Sequence, residues 1–185
     1  MPGPSGTART LLDHLGRGEY VDAVALIDIR DLEQWRRGQL AGFAFAMELA
    51  RTNDAPNRAP VSLAAIPDHH ADIRPLLAKH ARVVIVGMDG INNLAELAGL
   101  AGEDLLAGYW RLLAKTEGRE RWAGTTVLGE TIEGGQASAV CAMGSTTVGL
   151  ALRRVSGEWK VRLTDDLTTP DLWVLLMHWH AVGAA

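Results

Sequence analysis

Several short stretches carry the residue types from which metal, phosphate or nucleophile chemistry is built. Asp68-His69-His70 places a carboxylate and two imidazoles in succession, donors of the kind that hold divalent cations. The bland reading is a helix start, with Asp68 as the cap and both rings in solvent. In His178-Trp179-His180 the imidazoles are two residues apart, which on a helix is a rotation of about 200°, so they cannot share one metal. Gly87-Met88-Asp89-Gly90 follows an apolar run as a phosphate loop would, but no Lys-Ser/Thr pair comes after it and it reads as a turn. Ser145-Thr146-Thr147 has no histidine nearby in sequence to activate a hydroxyl. Cys141 sits among small residues in an extended run, where it serves as a small hydrophobe. No metal site and no cofactor are expected.

The carboxylates near the C-terminal third are better placed for acid–base work. Asp165 follows Trp159, Val161 and Leu163 at period two, which predicts that it points to the core side at the end of a strand. A carboxylate at the mouth of an apolar cavity would have a raised pKa and would serve as a general base. The competing role for Asp165 is that of a turn or helix-capping residue. Glu130 is a second carboxylate candidate if Leu128 faces inward. Tyr109, Trp110, Trp122 and Trp159, with Glu130, are the candidate ligand-binding residues, set against an ordinary core role for the aromatics.

Composition narrows the function classes. The chain has 185 residues, 48% hydrophobic and 22% charged, as soluble globular domains do. A formal net charge of -4 argues against a nucleic-acid partner, which would need a basic face. One cysteine excludes an intramolecular disulfide and fits a reducing compartment. With no apolar signal core at Met1-Pro2-Gly3-Pro4-Ser5-Gly6 and no bilayer-length apolar run, the expected location is the cytoplasm, without a membrane partner.

The elements that must position these residues follow from periodicity. Residues 1–6 are Gly/Pro/Ser-rich and expected to be disordered. Helices are predicted over Thr7–Leu15, around Tyr20–Ile27, and over Leu32–Arg51 with Asp31 as N-cap and Gln34 completing a capping box. Gly38 and Gly42 weaken the last of these locally. Thr52–Ser62 reads as a surface loop, and Asp68–His80 as helix interrupted at Pro75. Arg82–Gly87 is the clearest strand of the first half, and helices run from Leu94 to Lys115 with a break at Gly99 and Gly102. Four extended runs then form a meander, Thr125–Ile132, Gln136–Met143, Thr146–Val155 and Glu158–Leu163, with Gly-containing turns between them. Val148, Leu150, Leu152, Trp159, Val161 and Leu163 form its inner face. A final helix, Asp171–Val182, is capped by Thr169 and carries more apolar surface than one domain needs.

This order of helices followed by a four-run meander resembles the nuclear transport factor two-like (cystatin-like cone) superfamily, which includes ketosteroid isomerase-like and SnoaL-like proteins. The runs that carry the resemblance are Val127-Leu128-Gly129-Glu130-Thr131-Ile132-Glu133-Gly134-Gly135-Gln136-Ala137, and Leu152-Arg153-Arg154-Val155-Ser156-Gly157-Glu158-Trp159-Lys160-Val161 with the strand before it. It covers about Thr7 to Leu167. The implied fold is α+β: N-terminal helices packed in the concave face of a curved, mainly antiparallel sheet, plus a C-terminal helix. The domain plan is a tail at 1–6, a cone domain at 7–167 and a helical extension at 168–185. The isomerase-like Asp with a Tyr/Asp oxyanion site does not map onto this chain residue by residue. Asp68-His69-His70 also resembles the signature of the DHH phosphoesterases, which implies further metal-binding Asp residues on earlier strands, whereas the upstream chain reads helical. With no acid–base or metal set and with the excess apolar surface of Asp171–Val182, the expectation is a non-enzymatic cone domain, a homodimer or a binder of a partner or small apolar ligand. The alternative is an isomerase- or cyclase-type enzyme with Asp165 as base.

Overall fold

A computed structural model describes residues 2–53 and 72–183. The elements in chain order are α1 (Pro4–Gly16), α2 (Tyr20–Val24), α3 (Ile29–Asn53), α4 (Arg74–Lys79), α5 (Leu94–Gly99) and α6 (Gly102–Glu117). Then come β1 (Thr126–Glu133), β2 (Gln136–Met143), β3 (Thr146–Val155), β4 (Glu158–Val161), α7 (Asp165–Thr168) and α8 (Leu172–Gly183). The fold is α+β, as expected, with a curved, open, antiparallel sheet of four strands in the order β1-β2-β3-β4. Residues 1–33 with 102–169 make one compact unit, and 34–101 with 170–185 make a second.

The first unit contains the sheet. Period-two alternation sends Ala139, Cys141, Leu150, Leu152 and Val161 inward, where each is at most 1% exposed. Helix α1 packs against β1, β2 and β4, and α2 packs on α1 and α6. Leu11, Leu15, Leu105, Leu106, Tyr109, Trp110, Leu112 and Leu113 complete this core. Helix α1 begins at Pro4, three residues before the predicted start, because proline is tolerated in the first turn where no amide partner is required. One sheet edge is extended by the chain before α3: Val161 N donates to Leu26 O (2.8 Å) and Asp28 N donates to Val161 O (2.9 Å). The other edge, β1, pairs with β2 alone among the described residues.

The cap of α3 is Asp28, not Asp31. Asp28 Oδ1 accepts from the Arg30 amide (3.0 Å), its carbonyl accepts from Leu32 N (3.1 Å), and Oδ2 accepts from Arg153 Nε (2.7 Å). Asp31 sits in the first turn and reaches Arg153 Nη2 (3.3 Å), Arg162 Nε (3.1 Å) and the Leu163 amide (3.3 Å). Burial by itself would push the Asp28 carboxyl up, but the Arg153 guanidinium and the Arg30 amide outweigh it and hold it below its ordinary value.

In the second unit the predicted strand at Arg82–Gly87 is a correction. Among the described residues it makes one isolated bridge, Val84 to Asn93, with Ile85 N donating to Asn92 O and Leu94 N to Val83 O, and Val84 is exposed. A β-branched run needs neighbouring strands to become a ladder, and here it folds back on its own turn at 87–90. The break at 99–102 is observed. Helix α5 starts with a reciprocal cap in which Asn93 Oδ1 accepts from Glu96 N (3.0 Å) and Glu96 accepts from Asn92 N (2.7 Å). Helix α8 begins at Leu172, three residues beyond the expected cap Thr169: the Asp171 carbonyl accepts from Val174 N, and Gln39 Oε1 accepts from Leu172 N (2.7 Å). Of the predicted loop and helix over 52–80, residues 54–71 lie outside the described residues, and α4 carries Pro75 in its first turn.

The two weak points foreseen in α3 differ physically. A Cβ at Gly42 would lie 2.8 Å from Trp173 Cδ1, whereas one at Gly38 would meet nothing within 4 Å. Gly38→Ala should therefore stabilise by up to about 1 kcal/mol through helix propensity. Gly42→Ala should destabilise by about 1–3 kcal/mol, because the indole must move; urea unfolding of both variants checks the opposite signs. Arg153→Met strands the buried Asp28 carboxylate and should cost roughly 3 kcal/mol. Because the folded Asp28 pKa is depressed, its stabilisation is present above the unfolded value of about 3.9 and is lost as pH falls through the lower folded value. Wild type should accordingly lose stability over that acidic range, and Arg153→Met should show a shallower loss.

Candidate functional site

The predicted site residues do not converge on one cavity. Trp110 and Tyr109 are fully buried on α6, and Trp122 is buried beside Trp110, their rings 6.2 Å apart in an edge-to-face pair. Trp110 Nε1 donates to Leu167 O (3.0 Å), so its polar atom is committed to the backbone. These aromatics are core. Trp159 is half-buried on β4, and Glu130 is exposed on β1. The Ser5 hydroxyl and amide hold the Glu130 carboxyl below its ordinary value, the opposite of what a base in an apolar pocket requires.

Asp165 is exposed, and the reason is local. The β4 ladder stops at Val161, and the backbone at Leu163 turns aside to Asp31, so the period-two extrapolation ends before Asp165. The chain then coils into the four-residue helix α7, absent from the sequence reading, with Asp165 in its first turn and Thr168 Oγ1 donating back to Thr164 O (3.0 Å). Asp165 there borders a polar depression of about 630 Å³ rather than an apolar cavity. It shares that rim with Asp166, Arg119, Ser145 and Thr146. Burial pushes the Cys141 thiol up, which removes it further from nucleophilic use. Asp68-His69-His70 lies outside the described residues, and His178 is exposed on α8.

What the sequence reading missed is the outer face of the sheet. The registers align Thr126–Ala142–Thr147, Gly129–Val140–Gly149 and Thr131–Ser138–Ala151 as successive rungs opposite the buried set. None of these nine residues is charged. Val140 is 40% exposed between its two glycines, and Leu128, skipped in the register where β1 is irregular between Val127 and Gly129, is 64% exposed. A Cβ at Gly129 or Gly149 would meet nothing within 4 Å, and neither glycine has a positive φ. Among the described residues no neighbour and no positive φ requires glycine at Gly149, while Gly129 closes the irregularity in β1. A mid-strand glycine weakens a strand and often marks close approach of another backbone, which was the available signal. Neither a family model nor a curated protein nor a solved structure gives a significant match to this chain.

If Trp110 is core and Asp165 peripheral, their replacements should differ sharply. Trp110→Phe should cost about 2–3 kcal/mol, from lost volume and an orphaned Leu167 carbonyl. Asp165→Asn should stay within about 0.5 kcal/mol of wild type. Thermal and urea unfolding measure both, and equal effects would contradict this placement.

Proposed function

We propose that this chain is a non-enzymatic domain of the nuclear transport factor two-like type that self-associates through the outer face of its sheet. The observation that carries the reading is the Gly129–Val140–Gly149 rung, an exposed apolar ridge between two troughs, of which the fold itself does not need the one at Gly149. Such a surface is self-complementary: about a two-fold axis lying between the two sheets and parallel to them, each Val140 enters a glycine trough of the other copy. The rungs immediately beside it are uncharged, and the next rung on that face, Glu133–Gln136–Arg153–Lys160, carries charges of both signs, as a face that meets a second copy of itself can. Edge-to-edge pairing through β1 is disfavoured by the irregularity at Leu128 and by the exposed Glu130 and Glu133. Helices above an α+β sheet, with core side chains against its inner face, agree with the cone-type reading and with the absence of a role for Asp165 as a buried base.

Strand spacing gives the face roughly 500 Å² of projected area. A standard interface covers about 800 Å² per partner, so the dimer is a weak one, with Kd on the order of micromolar. Sedimentation velocity across a concentration series should show a monomer–dimer equilibrium. Val140→Lys should weaken it at least about ten-fold by placing a charge in the contact. Gly149→Thr should weaken it similarly by filling the trough while leaving the fold stable, since threonine suits a strand and meets no neighbour. A wild-type monomer at every concentration, or a dimer indifferent to both substitutions, would sink the proposal.

A further inference from the structure

The strand registers restrict how two copies can meet on the outer face of the sheet. A two-fold axis lying between two facing sheets acts on the projected face as a mirror line, carrying each position to its reflection on the other copy. Val140 and Gly149 are register partners on the neighbouring strands β2 and β3. Only one line interchanges them: the perpendicular bisector of the pair, which runs along the strands midway between β2 and β3. The corresponding line for Val140 and Gly129 runs between β1 and β2 at the side of the sheet, where it overlaps those two strands alone. The line between β2 and β3 overlaps every strand, laying β2 on β3 and β1 on β4. An axis across the strands through this rung would instead set Val140 on Val140 and leave the troughs empty.

We infer, resting on the sheet-face dimer proposed above, that its two-fold axis runs along the strands between β2 and β3 and that an ion pair between Glu133 of one copy and Lys160 of the other selects this orientation. Glu133 on β1 and Lys160 on β4 end the same rung, Glu133–Gln136–Arg153–Lys160, so the mirror line carries one onto the other, and symmetry forms the pair twice. In the same superposition Gln136 lies over Arg153 and Ser138 over Ala151, and no like charges of these rungs coincide. Glu133 is exposed, and its carboxylate has no side-chain partner among the described residues. Lys160 Nζ donates to Ala25 O (3.0 Å) and lies 3.4 Å from the Glu158 carboxylate, which leaves a third ammonium donor for the second copy. Arg153 and Arg162 are paired with the more buried Asp28 and Asp31. Lys160, whose own carboxylate partner is 61% exposed, is therefore the cation left to pair across the interface.

The test is sedimentation velocity of the full chain at low and high salt. Glu133→Lys brings like charges together at both symmetry-related places and should weaken the dimer at least about five-fold at low ionic strength, with much less effect at about 0.5 M salt. Lys160→Glu should weaken it similarly. The double variant Glu133→Lys, Lys160→Glu should return to within about two-fold of wild type, the signature of a direct pair. Cross-linking supplies a readout that needs no charge reversal. A short bis-maleimide should join Glu133→Cys to Lys160→Cys when the two variants are mixed, and should join neither to itself; Cys141 is fully buried and stays unreacted. A wild type that is monomeric at every concentration overturns the dimer and this orientation together. A dimer that Val140→Lys weakens, but that ignores Glu133→Lys, is not restored by the double variant or cross-links like with like, overturns the orientation alone.

Discussion

The buried carboxylate of Asp28 is the constraint on which the first unit depends. It is 1% exposed, and an ionised group there is tolerable only because each oxygen is engaged: one by an amide of the helix it caps, the other by the Arg153 guanidinium. The same residue's backbone amide and carbonyl serve β4 and α3 respectively. Four hydrogen-bonding groups of one residue therefore fix where the sheet ends and where the helix starts. Asp31 carries the restraint one turn further, through Arg162 and the Leu163 amide, and this diverts the chain from the sheet before α7.

That diversion explains which parts of the molecule were legible in the sequence. The meander was readable because its turns rest on Gly134, Gly144 and the Ser156-Gly157 pair, all at positive φ, and because Leu150, Leu152 and Val161 alternate strictly. The broken helix at 94–117 was readable from Gly99, Gly102 and the apolar spacing around them. Tertiary effects were not. Whether Asp28 or Asp31 caps α3 is decided by an arginine far along the chain, and both aspartates look equally suitable in isolation. Asp165 was misplaced for the same reason: a local period was carried past the point where a distant partner ends it. The run at Arg82–Gly87 has strand-forming residues but, among the described residues, no ladder to join.

The two faces of the sheet divide its labour. The inward side is filled by aliphatic residues from β2, β3 and β4, with the side chains of α1 and α6 completing the core, so its hydrophobic residues act in stability. The outward side spends little on stability, and its glycines even weaken the strands. The glycines of the outward side meet no neighbour within the fold, so substitutions there test association with little effect on packing.

The make-up of the first unit also dictates when it can form during synthesis. Its opening 33 residues find their sheet only after residue 102, and Asp28 meets Arg153 across 125 positions. Closing a loop of that size costs roughly 4 kcal/mol of chain entropy before any contact is gained. At about 10 residues per second, some 12 seconds of elongation separate the two partners. Until then α1 presents Leu11, Leu12 and Leu15 to water with no sheet to cover them. The nascent chain thus has an interval of exposure in which these leucines are open to a ribosome-associated chaperone.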